Sequence, residues 1–215
     1  MSELQAVLFD MDGTLVETES LWHESEIQTM AAFGASWSEE EQKFALGGPF
    51  DVVAEYMAKK TGVTVDEIGA KLIETIDALM RNEVLHLQPG IQELYDESRA
   101  AGIPTGLVTN SFRQLVDIVL DASGLEFDVI VTGDEIPENK PHPLPYLTAC
   151  AALNVDPAHA VVLEDSTTGI ESATAAGCFV VAIPHLAEID AMERQLTVRS
   201  AEDVNLGMLQ KLLNS

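Results

Sequence analysis

Three short apolar runs, each cut off by polar residues, constrain this chain more than any other feature. Ala6-Val7-Leu8-Phe9 stops at Asp10-Met11-Asp12-Gly13-Thr14, Gly106-Leu107-Val108 stops at Thr109-Asn110-Ser111, and Ala160-Val161-Val162-Leu163 stops at Glu164-Asp165-Ser166. Unbroken apolar runs of this length suit strands buried on both faces. Charge at the end of such a strand is costly unless something compensates it. In an open α/β sheet, the carboxyl ends of the strands face the crevice where ligands bind. Strand patterns at 4–10, 104–109, 127–131, 160–164 and 178–183 alternate with helical ones at 91–101, 112–123, 145–153 and 168–176, and a last amphipathic stretch covers 205–213. This order predicts a parallel sheet with helices on both faces.

The regularity is interrupted once. Between the first run and Pro89-Gly90 there is no alternating strand, only helical patterns at 19–33, 38–46, 50–61 and 65–86, broken by Gly47-Gly48-Pro49 and Thr61-Gly62. In the first of these, Leu21, Ile27, Met30, Ala31 and Phe33 supply the apolar positions. The division expected is a core of residues 1–16 and 89–215 and a helical insertion of residues 17–88. An insertion hinged beside an acidic strand end can close over it and exclude water.

The charge balance narrows the partners. The 215 residues carry 11 Lys plus Arg against 36 Asp plus Glu, a formal net charge of −25. Such a surface repels nucleic-acid phosphates and anionic membranes. It does not exclude a small phosphorylated ligand, because exposed charges are screened beyond roughly 8 Å and the groups inside a cleft dominate there. Cys150 and Cys178 lack ligand-like spacing and read as small core residues. His23, His86, His142, His159 and His185 likewise form no metal-ligand pattern. With no signal segment and no run long enough to span a bilayer, a cytoplasmic protein is expected.

The strand ends carry the chemistry. Asp10 and Asp12 alone read equally well as solvated turn acids, but their attachment to a very apolar run and to Gly13, which permits a sharp turn and close approach of backbone N–H groups to an anion, favours a site. At Thr109-Asn110-Ser111, a hydroxyl and helix-terminal amides suit phosphate oxygens, and Ser111 doubles as a candidate N-cap. Lys140 lies in Glu138-Asn139-Lys140-Pro141-His142-Pro143, stiffened by its prolines; in isolation it reads as a surface lysine. Glu164-Asp165 repeats the acidic ending, with Asp165 or Ser166 a possible cap for the next helix. Acids at two strand ends, a hydroxyl at a third and one lysine form a site for a hard cation and a phosphate, and Mg²⁺ suits such donors.

In this order, the FDMDGT motif, Thr109, Lys140 and Glu164-Asp165 resemble the haloacid dehalogenase superfamily of phosphotransferases over nearly the whole chain. The continuation Val16-Glu17-Thr18-Glu19-Ser20-Leu21-Trp22-His23 is similar to its β-phosphoglucomutase-like sugar-phosphate phosphatases. The resemblance implies an α/β fold with a Rossmann-like parallel sheet core and a helical-bundle cap inserted after the first strand. It implies a Mg²⁺-dependent phosphatase acting on a small phosphorylated metabolite, a sugar or polyol phosphate, and a monomer. Asp10 would be the nucleophile that forms an aspartyl phosphate, and Asp12 the general acid and then base. Asp10, Asp165 and the Asp12 carbonyl would hold the metal, with Glu164 acting through water. Gly13, Thr109, the Asn110 amide and Lys140 would hold the phosphoryl group, Lys140 also neutralising the nucleophile.

The chain departs from the pattern at Glu17, where relatives usually have Asp, and at Trp22, where many have His, with His23 one position later. A mutase of this type needs a second phosphate pocket, usually with a cap arginine. The Gly47–Asp51 loop has no basic residue and no arginine precedes Arg81, which favours hydrolysis over the alternative phosphomutase; Arg113 reads as an exposed helix residue. Dehalogenase chemistry needs neither Asp12 nor metal. A non-enzymatic phospho-accepting receiver module would be shorter, without the insertion and without the acid two residues after the nucleophile.

Overall fold

The computed structural model describes residues 3–46, 48–184 and 192–213; Gly47 and His185 fall outside them. Strands β1 (Ala6–Phe9), β2 (Thr105–Val108), β3 (Val129–Val131), β4 (Ala160–Glu164), β5 (Phe179–Ala182) and β6 (Gln195–Thr197) form one sheet in the order β3-β2-β1-β4-β5-β6. Every neighbouring pair is parallel. Successive side chains of a strand point to opposite faces, and here both faces are covered. Val7, Phe9, Val161, Leu163 and Val181 pack on one side with residues of α5 (Ile91–Ala100), α6 (Arg113–Ser123) and α9 (Leu206–Leu212). Leu8, Val162 and Val180 pack on the other with residues of α7 (Leu144–Leu153) and α8 (Thr167–Ala176). This double burial is why the runs read as unbroken apolar stretches. The expected α/β class is therefore observed; β4 matches its pattern, and the other four expected strands are two or three residues shorter than theirs. Strand β6 was not expected: its Gln195-Leu196-Thr197 is an edge piece with no buried residue.

Helices α1 (Glu19–Ala32), α2 (Glu39–Ala45), α3 (Phe50–Thr61) and α4 (Val65–Asn82) follow β1. Ser38 with Glu41 and Thr64 with Glu67 form capping boxes that start α2 and α4. Gly62 ends α3 in the left-handed conformation, φ 79°. Helix α4 stops at Asn82 rather than 86, because Glu83 turns extended. Met30, Trp37, Val53, Met57, Ile68 and Leu72 give these helices an apolar cluster of their own. Helix α1 departs from its apolar pattern: Ser25, Glu26 and Thr29 are buried, while Ala31 is exposed. Glu26, with Glu19, Trp22 and His23, lines a cleft, while Ser25 and Thr29 are buried outside its lining.

The two connections to these helices run side by side. Val16 bridges to Leu87, the Gln88 N–H donates to the Leu15 carbonyl at 2.9 Å, and the Gln88 side-chain amide donates to the Gly13 carbonyl at 3.1 Å. On the far side, Phe50 at the start of α3 meets Phe112 before α6 edge-on, ring centroids 4.9 Å apart. The helices thus lean over the carboxyl ends of β1 and β2. Among the described residues, no helix is long and apolar enough to cross a membrane.

Candidate active site

The site begins with strand parity. In β1, Ala6 and Leu8 face the α7 side, so Asp10 continues on that side; in β4, Ala160, Val162 and Glu164 do the same. The two strands pair in parallel with Leu8 opposite Val162 and Phe9 opposite Leu163. Continuing that register sets Asp10 beside Glu164, two carboxylates one strand spacing apart, about 4.8 Å. Both are buried. Such a pair calls for a cation between its members.

Lys140 supplies it. It is only 3% exposed, and its Nζ donates to Asp10 Oδ1 and Glu164 Oε1, both at 2.6 Å, and to the Val108 carbonyl at 2.8 Å. All three ammonium protons are thereby used. Asn110 clamps the lysine's backbone from both sides: its Oδ1 accepts the Lys140 N–H at 2.9 Å and its Nδ2 donates to the Lys140 carbonyl at 3.2 Å. The surface-lysine reading is corrected here. Burial opposes the ammonium, but Asp10 and Glu164 outweigh it and raise the lysine's pKa.

Glu164 is completely buried and heavily hydrogen-bonded. Besides Lys140, its Oε1 accepts from Tyr146 Oη at 2.7 Å; its Oε2 accepts from the N–H groups of Asp165 and Ser166 and from Ser166 Oγ at 3.0 Å. Ser166 Oγ also accepts the Gly169 N–H at 3.1 Å and so caps α8, as one reading of this segment expected. A Cβ on Gly169 would lie 1.7 Å from Glu164 Oε1, so the first turn of α8 closes on the carboxylate only through a glycine.

Asp165 turns the other way, toward the loop after β1. Thr14 Oγ1 donates to its Oδ1 at 2.8 Å. Gly13 has φ 83°, and a Cβ there would come 2.2 Å from Asp165 Oδ2, so both the turn and the approach of the two loops require glycine. Asp12 is half-buried and gathers four donors. Thr18 Oγ1 at 2.5 Å and Trp22 Nε1 at 3.2 Å reach Oδ1, while Ser111 Oγ at 2.6 Å and Thr109 Oγ1 at 3.4 Å reach Oδ2. Ser111 is therefore not the cap of α6; Phe112 holds that position without a side-chain cap. Ser111 and Trp22 are the contacts that the sequence reading missed. The departure from His at position 22 was the one available signal for the tryptophan.

Asp10, Glu164 and Asp165 each offer an oxygen, all within 4.8 Å of one another. Three carboxylates against one ammonium leave the group short of positive charge. Burial, and next the Glu164 charge, raise the Asp10 pKa well above the usual carboxylate range, with Lys140 opposing. Burial and Glu164 likewise push Asp165 up to about 8. Hard oxygen donors with unbalanced negative charge fit a divalent cation such as Mg²⁺. Of the expected site residues, Asp10, Asp12, Thr109, Asn110, Lys140 and Asp165 line one cleft at the carboxyl ends of β1, β2 and β4, closed from above by Trp22, Phe50 and their neighbours; Gly13 and Glu164 are not in its lining and pack behind it against Asp165 and Lys140. His142 and His159 lie apart from it; Cys150 and Cys178 are buried, free thiols.

Known proteins resemble this chain in sequence and fold. The chain is 32% identical over 202 residues to the validoxylamine A 7'-phosphate phosphatase of Streptomyces hygroscopicus subsp. limoneus, covering 90% of this chain and 94% of the relative. It is 32% identical over 188 residues to hexitol phosphatase B of Escherichia coli K12, covering 85% and 84%. A mutant of CbbY from Rhodobacter sphaeroides in complex with xylulose-(1,5)bisphosphate has the same fold, with a TM-score of 0.86, 32% identity and coverage of 96% of this chain and 99% of that one. The protein is a phosphoric monoester hydrolase. Residues 7–183 match the haloacid dehalogenase-like hydrolase model, and the chain belongs to that family.

Proposed function

We propose that this hydrolase is a Mg²⁺-dependent phosphatase of a sugar or polyol phosphate, working through an aspartyl phosphate on Asp10, with residues 17–88 acting as a cap over the core. The observation that carries the reading is the Lys140 bridge: a buried lysine fixes Asp10 at the strand end while Asp12, two residues on, lines the cleft half-buried among hydroxyl and indole donors.

Asp10 attacks phosphorus as a carboxylate, the bond from phosphorus to the ester oxygen breaks, and Asp12 delivers its proton to that departing oxygen. Asp12, now ionised, takes a proton from water. The water oxygen attacks the acyl phosphate, releasing inorganic phosphate and regenerating Asp10. Lys140 holds Asp10 oriented and balances its charge. Thr109, the Asn110 main-chain amide and the Gly13 turn line the phosphoryl position. The carboxylates of Asp10 and Asp165 and the main-chain carbonyl of Asp12 would hold Mg²⁺, which when bound adds positive charge against the phosphoryl oxygens. Glu164 stands behind them, and its direct bonds to Lys140, Tyr146 and the start of α8 make it the group that fixes the lysine.

The test is phosphate release from a panel of phosphorylated sugars and polyols. Asp10→Asn is expected to stay folded by circular dichroism and to lose turnover, and chelation of Mg²⁺ to do the same reversibly. Full activity in either case overturns the mechanism. Conversion of a hexose 1-phosphate to its isomer, without phosphate release, would favour the phosphomutase instead.

A further inference from the structure

Beyond the carboxylate group, the cleft wall is formed by Glu19, Trp22, His23 and Glu26 of α1 and Gln42 of α2. Among the described residues lining the cleft, Lys140 is the sole lysine and no arginine occurs. Its three protons are already committed to Asp10, Glu164 and Val108. The residues outside the described ones include neither lysine nor arginine. The nearest candidates in sequence do not help: Lys43, next to Gln42, is exposed and not part of the lining, and Arg113, next to Phe112, is forked onto Glu135 at 3.1 and 2.7 Å.

The same wall holds two buried polar atoms without a hydrogen-bond partner, Glu19 Oε2 and His23 Nδ1. The histidine nitrogen lies 3.9 Å from Glu26 Oε2, too far for a hydrogen bond, and that oxygen already accepts from Trp37 Nε1 at 2.7 Å. Buried polar atoms of this kind are satisfied in native states by protein, water or ligand. Burial, and next the Glu17 charge, raise the Glu19 pKa to about 7, so at pH 8 it is a carboxylate whose oxygens accept only and whose partner must bring a proton; an imidazole nitrogen pairs with a group that both gives and accepts. Hydroxyls meet both demands. A phosphate dianion brings no proton and meets the Glu19 carboxylate as a like charge.

Resting on the phosphatase reading, we propose that this wall is a leaving-group subsite for an uncharged, hydroxyl-bearing carbon chain, with Glu19 and His23 as its hydrogen-bonding residues, so that the enzyme takes sugar or polyol monophosphates and rejects bisphosphates. One phosphate is received at the strand ends, beside Asp10, Thr109 and Asn110; a second has no cation to meet. This separates the chain from the CbbY protein whose structure holds xylulose-(1,5)bisphosphate, despite 32% identity to it.

The experiment compares, at pH 8, kcat/KM for matched pairs that differ by the second phosphate: xylulose 5-phosphate with xylulose 1,5-bisphosphate, and fructose 6-phosphate with fructose 1,6-bisphosphate. p-Nitrophenyl phosphate serves as the generic monoester. The monophosphate is expected to win by at least 100-fold in each pair that is turned over. Glu19→Gln, checked for native circular dichroism, is expected to narrow that ratio at least tenfold, chiefly by raising KM for the monophosphate and lowering it for the bisphosphate. A bisphosphate hydrolysed within tenfold of its partner, or a Glu19→Gln ratio equal to the native one, overturns the proposal and leaves the phosphatase reading standing. No hydrolysis of any of the compounds, p-nitrophenyl phosphate included, overturns the phosphatase reading and this proposal with it.

Discussion

Glu26 offers a stability test that is independent of catalysis. Its carboxyl group is buried between α1 and Trp37, whose indole N–H donates to Oε2 at 2.7 Å. Burial raises its pKa from 4.5 to about 7, and the Trp37 hydrogen bond opposes the rise without cancelling it. In the unfolded chain the group ionises near its ordinary value, so between about pH 4.5 and 7 the folded state holds a proton that the unfolded state has lost. Stability therefore falls as pH rises through that window. The gap corresponds to about 3 kcal/mol when fully developed. Glu26→Gln keeps an acceptor for Trp37 and cannot ionise. The variant should match the native protein near pH 4.5 and exceed it by about 3 kcal/mol at pH 8, which for a chain of this size is a rise of roughly 6–12 °C in Tm. Thermal or urea unfolding of both proteins at several pH values in the same buffer measures the difference, and the Asp10 and Asp165 titrations, common to both, cancel in it. A difference that does not change with pH, or a variant less stable at pH 8, would refute the reasoning, since either requires Glu26 to ionise in the fold as easily as in water.

Other outcomes follow from the same geometry. Lys140→Met leaves Asp10 and Glu164 buried against each other and should cost about 3–5 kcal/mol in urea unfolding at pH 7; adding Glu164→Gln should recover part of that loss, and a strictly additive double variant would contradict the bridge. Gly13→Ala places a methyl group on Asp165 and a side chain at positive φ; Mg²⁺ affinity, read by the metal dependence of phosphate release, should fall at least tenfold, and unchanged affinity would show that Asp165 does not hold the metal. In chelated buffer, stability should fall as pH rises from about 4 to 8, because Asp165 is pushed up to about 8 by burial and Glu164. Mg²⁺ should cancel much of that fall, adding about 2.7 kcal/mol at a hundred times its Kd; a pH profile indifferent to Mg²⁺ would speak against a metal at these carboxylates.

What the sequence shows of this site, and what it withholds, divides along a physical line. The strand ends were legible because burial on both faces demands unbroken apolar runs, and nothing in a sheet interior excuses a carboxylate there. The inserted helices were legible from their apolar spacing and from the breakers at Gly47-Gly48-Pro49 and Thr61-Gly62. Strand β6 was not, because an edge strand with no buried residue carries no pattern; in α1 the expected Leu21, Ile27, Met30 and Phe33 do pack inward, but the cleft-lining Glu26 left no apolar signal. Ser111 could not be assigned to Asp12, 99 residues away, since its N-cap role was equally consistent with local sequence.

The adjacent acids Glu164 and Asp165 show the line most clearly. Parity alone separates them: Glu164 shares the face of Val162, and Asp10 the face of Leu8, so these two acids lie on one side of the sheet and Asp165 is released toward the turn at Gly13. Parity does not say that β1 and β4 are neighbours, or that Leu8 sits opposite Val162. Only with that register do the two carboxylates become a pair, and only then does a lysine with few basic neighbours acquire a reason to be buried. The compensating charge that the acids at the strand ends require is thus met in part by the chain itself, through Lys140 between Asp10 and Glu164, and the charge left over at Asp10 and Asp165 is what a metal ion would balance.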